Sequence, residues 1–113
     1  MEGLKTQTMI QTPETDEQGF LLKLDEWNQN FAVKAAESEG IELTPEHWEI
    51  IEVLRNFYEE FDLSPANRIL VKQVKIKLGE DKGNSIYLMK LFPGSPAKIA
   101  SKISGLPKPT NCL

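Results

Sequence analysis

The sequence predicts a mainly α-helical fold with a small N-terminal β-hairpin: a compact helical bundle from which an extended C-terminal arm runs. Three observations carry this. Thr44-Pro45, Ser64-Pro65 and Ser95-Pro96 each set a hydroxyl residue before a proline, the pairing favoured at the N-cap and first helical position. Apolar residues after these starts recur at steps of three and four, as on the buried face of a helix. Gly40, Gly79 and Gly105 follow the periodic stretches, where glycine accepts the left-handed conformation that ends a helix.

The elements follow in chain order. Met9–Thr12 is a short β-type stretch, Thr12–Gly19 a polar turn, and Phe20-Leu21-Leu22 the returning strand of the expected hairpin. Leu24–Glu39 reads as a helix burying Leu24, Trp27, Phe31 and Ala35. Thr44-Pro45 opens a second helix, with Glu46 and Glu49 toward its positive end and Trp48, Ile51, Leu54 or the stem of Arg55, Tyr58 and Phe61 on its apolar face. Ser64-Pro65 opens a third that presents Ile69, Leu70 and Val74 and ends near Gly79. Asn84 caps a short helix through Leu91, stopped by Pro93-Gly94. Ser95-Pro96 opens the last helix, which carries Ile99 and Ile103 and closes at Gly105.

The chain has 113 residues, 40% hydrophobic and 27% charged, which suits one soluble domain with a single core. Residues 1–105 are expected to form that domain and 106–113 a mobile arm. No apolar run approaches the ~20 residues that span a bilayer. The stretch Met1–Gln11 has no apolar h-region of a secretory signal, so the expected address is the cytoplasm. The net charge of −4 is uneven: residues 1–61 hold 4 Lys/Arg against 14 Asp/Glu, and residues 62–113 hold 9 against 3. A basic half can be ordinary solvated surface, or it can face an anion, whether a persulfide, an acidic partner or an RNA backbone.

Cys112 is the single cysteine, next to last in the chain. Alone it forms no internal disulfide, and one cysteine with one histidine makes a poor zinc site, so no metal and no other cofactor is expected. A lone cysteine is more often a packing residue, but chain ends are usually exposed. Pro107 and Pro109 restrict Leu106, Lys108 and themselves to extended conformations. Seven steps from Gly105 to Cys112, at about 3.1 Å each, reach about 20 Å, enough to carry a thiol into another protein's pocket. Thiolate is the reactive form and nearby cations favour it. Lys98, Lys102 and Lys108 lie on or before the arm, and Arg68, Lys72 and Lys75 share helical spacing. The ordinary reading of each lysine is solvated surface. His47, in the first turn of a helix beside Trp48, reads as a structural or surface histidine rather than a general base. Glu46, Glu49 and Glu52 read as a solvated face.

The run from Leu91-Phe92-Pro93-Gly94-Ser95-Pro96 to Gly105-Leu106-Pro107-Lys108-Pro109-Thr110-Asn111-Cys112-Leu113 closely resembles the C-terminus of the DsrC/TusE family. Asp16–Leu21, Leu43–Trp48, and Leu54–Tyr58 running on to Pro65–Arg68 are similar to family segments in the same order. The resemblance implies a winged-helix-like fold and a sulfur carrier that holds a persulfide on Cys112. One branch of the family serves dissimilatory sulfite reductase with two arm cysteines; the other, TusE, relays sulfur toward tRNA 2-thiouridine with the penultimate one. The upstream cysteine of the first branch falls at or near Ser101, and serine cannot form the disulfide, so the single-cysteine branch fits. The implied partners are a TusBCD-type donor and an MnmA-type tRNA thiouridylase, with tRNA met through the acceptor. Asn111 departs from the glycine common there. Two alternatives stay open: a DsrC-like sulfite-reductase partner, and a helix-turn-helix nucleic-acid-binding module built on the helices at 44–60 and 64–78. Against the second, the domain is acidic overall and lacks a strong basic stripe.

Overall fold

The structure is a computed structural model that describes residues 13–110. Five helices make up the described chain: α1 (Gln29–Ser38), α2 (Pro45–Phe61), α3 (Asn67–Leu78), α4 (Ser85–Leu91) and α5 (Pro96–Ile103). A single 3-10 turn, Leu24–Glu26, precedes α1. No helix among them is long and apolar enough to cross a membrane.

The expected N-terminal hairpin is corrected. Among the described residues there is no strand, only one isolated antiparallel bridge between Thr15 and Leu21. The Asp16 carboxylate accepts from the amides of Gln18 and Phe20 at 2.8 and 3.0 Å, which curls the chain into a tight turn and leaves no length for a ladder. Phe20 and Leu21 are buried, so their apolar character serves the core rather than a sheet. The proposed first strand, Met9–Thr12, lies outside the described residues.

The first helix also starts later than its periodicity suggests. Asn28 caps α1 by accepting from the Phe31 amide at 2.8 Å, leaving Trp27 ahead of the helix in extended backbone. Thr44-Pro45 does open α2, through a capping box. The Thr44 hydroxyl accepts from the His47 amide, and His47 Nδ1 accepts from the Thr44 amide at 3.0 Å. The buried face of α2 is His47, Ile50, Ile51, Val53, Leu54 and Phe57, while Phe61 stays exposed. Asn84 caps α4 as expected, accepting from the Tyr87 amide at 2.8 Å.

Short α5 is the hub, packing against each of the other four helices. It can do so because Ala97 and Ala100 on its buried faces are small, and both are wholly buried; close approach of backbones needs little side-chain volume. Leu21, Phe31, Ile51, Leu54, Leu70, Val74, Leu88, Phe92, Ile103 and Leu106 complete one core cluster. The C-terminal arm therefore leaves from the centre of the packing and not from its edge.

Candidate functional site: the root of the C-terminal arm

The last carbonyls of any helix lack intrahelical donors. At the end of α5 two long side chains from elsewhere in the fold supply them. Trp27 Nε1 donates to the Ile103 carbonyl at 2.9 Å, and Arg55 Nη1 donates to the Ser104 carbonyl at 2.7 Å. The two donors also hold each other: the Arg55 guanidinium lies 4.0 Å from the centroid of the Trp27 ring, a cation–π arrangement. Burial pulls the Arg55 guanidinium below its ordinary value, and Glu59 opposes that shift; the group remains charged, as guanidinium groups do in proteins. A cation at a helix C-terminus also meets the negative end of its dipole.

Gly105 turns the chain out of α5 at φ +74°. A Cβ there would stand 2.3 Å from Trp27 Cδ1, so glycine is needed twice over, for the left-handed angle and for the indole beside it. The Leu106 amide then bonds back to the Ser101 carbonyl at 2.9 Å, and the Leu106 side chain is only 2% exposed.

The arm keeps to the body beyond that point. Ser64 Oγ donates to the Pro107 carbonyl at 2.6 Å. Pro107 and Lys108 are exposed, but Pro109 is buried. The expectation of an arm standing clear from residue 106 thus meets a different arrangement as far as Pro109. Cys112 lies outside the described residues, three steps past Pro109. Those three steps span at most about 11 Å, so Cys112 lies within about 11 Å of Pro109.

The cations named from the sequence fall into separate groups. Lys102 is tied to Glu39 at 2.6 Å, and with Lys98 it lines a hollow between α5 and the turn around Gln18 and Phe20. Lys108 is exposed on the arm, and Arg68, Lys72 and Lys75 are exposed together on α3. His47 is structural: 6% exposed, it has Nδ1 accepting from Thr44, and this leaves the proton on Nε2, which donates to the Leu91 carbonyl at 2.9 Å. Its ring packs edge-on against Phe92.

Ser101 is wholly buried on α5, and its hydroxyl has no hydrogen-bond partner among the described residues. Trp27, Arg55 and Ser64 are the residues that sequence reasoning missed as organisers of the arm. Their partners lie 76, 49 and 43 residues away, beyond any local pattern.

Residues 7–113 match the family described as DsrC like protein. The chain belongs to that family. Within it, the chain is 55% identical over 100 residues to the sulfurtransferase TusE of Escherichia coli strain K12, covering 88% of this chain and 92% of the relative. Two solved DsrC structures share the fold. That from Allochromatium vinosum superposes with a TM-score of 0.80 at 50% identity, covering 88% of each chain. The oxidized gamma-subunit of the dissimilatory sulfite reductase (DsrC) from Archaeoglobus fulgidus superposes at 0.76 with 42% identity, covering 91% of this chain and 94% of that one. The DsrC-like family thus joins TusE relatives by sequence to DsrC neighbours by structure.

Proposed function

We propose that Cys112 is the sulfur-carrying residue of this sulfurtransferase. In this reading a TusBCD-type complex supplies the sulfur, and an MnmA-type enzyme receives it for 2-thiolation of the tRNA wobble uridine in the cytoplasm. The coarser statement, a sulfur-relay carrier, rests on the family and on the TusE relatives. The choice of Cys112 is supported by one feature above all: the single cysteine follows a segment whose root is fixed by Trp27, Arg55 and Ser64.

The chemistry is exchange at sulfur. The Cys112 thiolate attacks the terminal sulfur of a donor persulfide. The donor's S–S bond breaks, its cysteine leaves as a thiolate, and Cys112 keeps the sulfur as a persulfide. The same exchange in the forward direction passes the sulfur to an acceptor cysteine. No net oxidation or reduction occurs, and no acid–base pair is required of the carrier. Ser101 favours this reading over the two-cysteine branch, since a hydroxyl cannot join Cys112 in a disulfide.

The test is sulfur transfer from a cysteine desulfurase system through the donor complex, followed by radiolabel and by intact mass. Wild-type protein is expected to gain about 32 Da per sulfur, lost on reduction, and Cys112→Ser is expected to gain nothing while folding normally. Labelling of the serine variant at the wild-type level sinks the assignment.

A further inference from the structure

Helix α3 has a face that the relay chemistry leaves unexplained. Its sequence, NRILVKQVKIKL, contains four basic residues and no acidic one. Leu70 and Val74 point into the core. At 100° per residue, the opposite side of the helix is Arg68, Lys72 and Lys75, with Ile69 and Ile76 along one edge. All five are exposed, Ile76 at 63% and Ile69 at 41%. The two isoleucines are seven residues apart, so they sit in line two turns, or about 10 Å, from each other.

Cations alone would suit RNA, whose phosphates are neutralised by Lys and Arg. Two isoleucines gain nothing from a phosphate backbone. They gain from apolar sockets, at roughly 25 cal/mol per Å² removed from water. A row of cations beside paired aliphatic side chains fits a protein surface that is acidic with apolar recesses. The N-terminal end of α3 also adjoins the arm. Ser64, three residues before α3, holds the Pro107 carbonyl, and Asn67 Oδ1 at the start of α3 accepts from the Ala97 amide of α5.

We infer that the exposed face of α3 docks the protein that loads sulfur onto Cys112, through an acidic surface with apolar sockets for Ile69 and Ile76. This rests on the relay reading above. It assigns the face to the donor rather than the acceptor, because an enzyme that handles tRNA carries a basic surface of its own, which the α3 cations repel. Donor and acceptor then meet different sides of the carrier, and only the thiol is shared.

The experiment uses the full chain in three forms: wild type, Arg68→Glu with Lys72→Glu, and Ile76→Asp. Each is exposed at the changed positions, and circular dichroism with thermal unfolding checks that the fold is kept. Sulfur loading from the donor complex is measured against carrier concentration and salt. Discharge to the acceptor enzyme is measured separately, from carrier loaded chemically with polysulfide. The double charge reversal is expected to raise the apparent KM for loading about tenfold at low salt, with the gap narrowing as salt rises. Ile76→Asp is expected to raise it at every salt concentration, and discharge is expected to be unchanged in both. Loading at the wild-type KM in both variants overturns the inference while leaving the relay intact. So does a loss confined to discharge or to tRNA retention, which would give the face to the acceptor or to RNA. Failure of the wild-type protein to load at all overturns the relay reading and the inference with it.

Discussion

Gly105 and Gly40 offer a paired test of how the arm is rooted. Both have nearly the same backbone angle, φ +74° and +73°, but a Cβ at Gly40 would meet nothing within 4 Å, whereas at Gly105 it would lie 2.3 Å from Trp27 Cδ1 and 2.7 Å from Cγ. Gly40→Ala therefore reports the left-handed angle alone, which costs about 1–2 kcal/mol. Gly105→Ala carries the same cost and must also displace the indole. That loses the Trp27–Ile103 hydrogen bond, worth about 1 kcal/mol. The stacking of Arg55 on the ring adds about 0.5–1 kcal/mol. The expected excess at Gly105 is thus about 2 kcal/mol, a difference in melting temperature of roughly 10 °C in a domain of this size. Thermal unfolding by circular dichroism reads it directly, and tryptophan fluorescence reports whether the indole has moved. Sulfur acceptance should fall in Gly105→Ala and hold in Gly40→Ala, because only the former turns the arm away from its path. Equal melting temperatures for the two variants would refute the clamp described between Trp27 and the arm.

Leu106→Ala is expected to cost about 2–4 kcal/mol, as a fully buried leucine does when truncated; a melting temperature within 2 °C of wild type, measured to about 1 °C, would show that the arm's first residue is not part of the core. Ser101→Cys puts a thiol, which tolerates apolar surroundings better than a hydroxyl, where the serine oxygen has no partner among the described residues. It should leave stability unchanged or raise it by about 1 kcal/mol, and the new thiol should react with a small alkylating reagent only as fast as the protein opens. Rapid alkylation of the native variant would show that this face of α5 is not covered.

The legible parts of the fold were those decided within one helical turn. Thr44-Pro45 and Asn84 cap the helices that follow them because each finds its amide partner three residues on. Ser64 and Ser95 carry the same dipeptide signal, and neither caps through its side chain. α3 begins at Asn67 behind an Ala66 cap, and Ser64 has its hydroxyl on Pro107 instead. Ser95 makes no capping bond, and the start of α5 is met by Asn67 from another helix. Tertiary partners displaced the local ones, and no spacing rule announces that. Trp27 shows the same limit. Its apolar character fitted a helical stripe, but its value to the fold is the indole N–H, aimed at a carbonyl 76 residues later. The apolar Phe20-Leu21 pair suggested a strand because burial and β-propensity favour the same residue types. The anchorage of the C-terminal segment at Ser64, Arg55 and Trp27 could not be read from the chain, because each partner lies far off in sequence.

With Cys112 in the sulfur-carrying role proposed above, the position of Pro109 sets how concentrated the thiol is for a bound partner. Three residues of chain span at most about 11 Å, so Cys112 lies within a volume of a few thousand Å³ around Pro109. One thiol in that volume amounts to an effective concentration on the order of 0.5 M. A partner pocket that opens inside the volume meets a nucleophile far more concentrated than any cellular thiol pool, and a pocket that opens outside it meets none. Selection between correct and incorrect sulfur acceptors is then a matter of where a partner's pocket sits relative to Pro109, with little demanded of the intrinsic reactivity of the thiol.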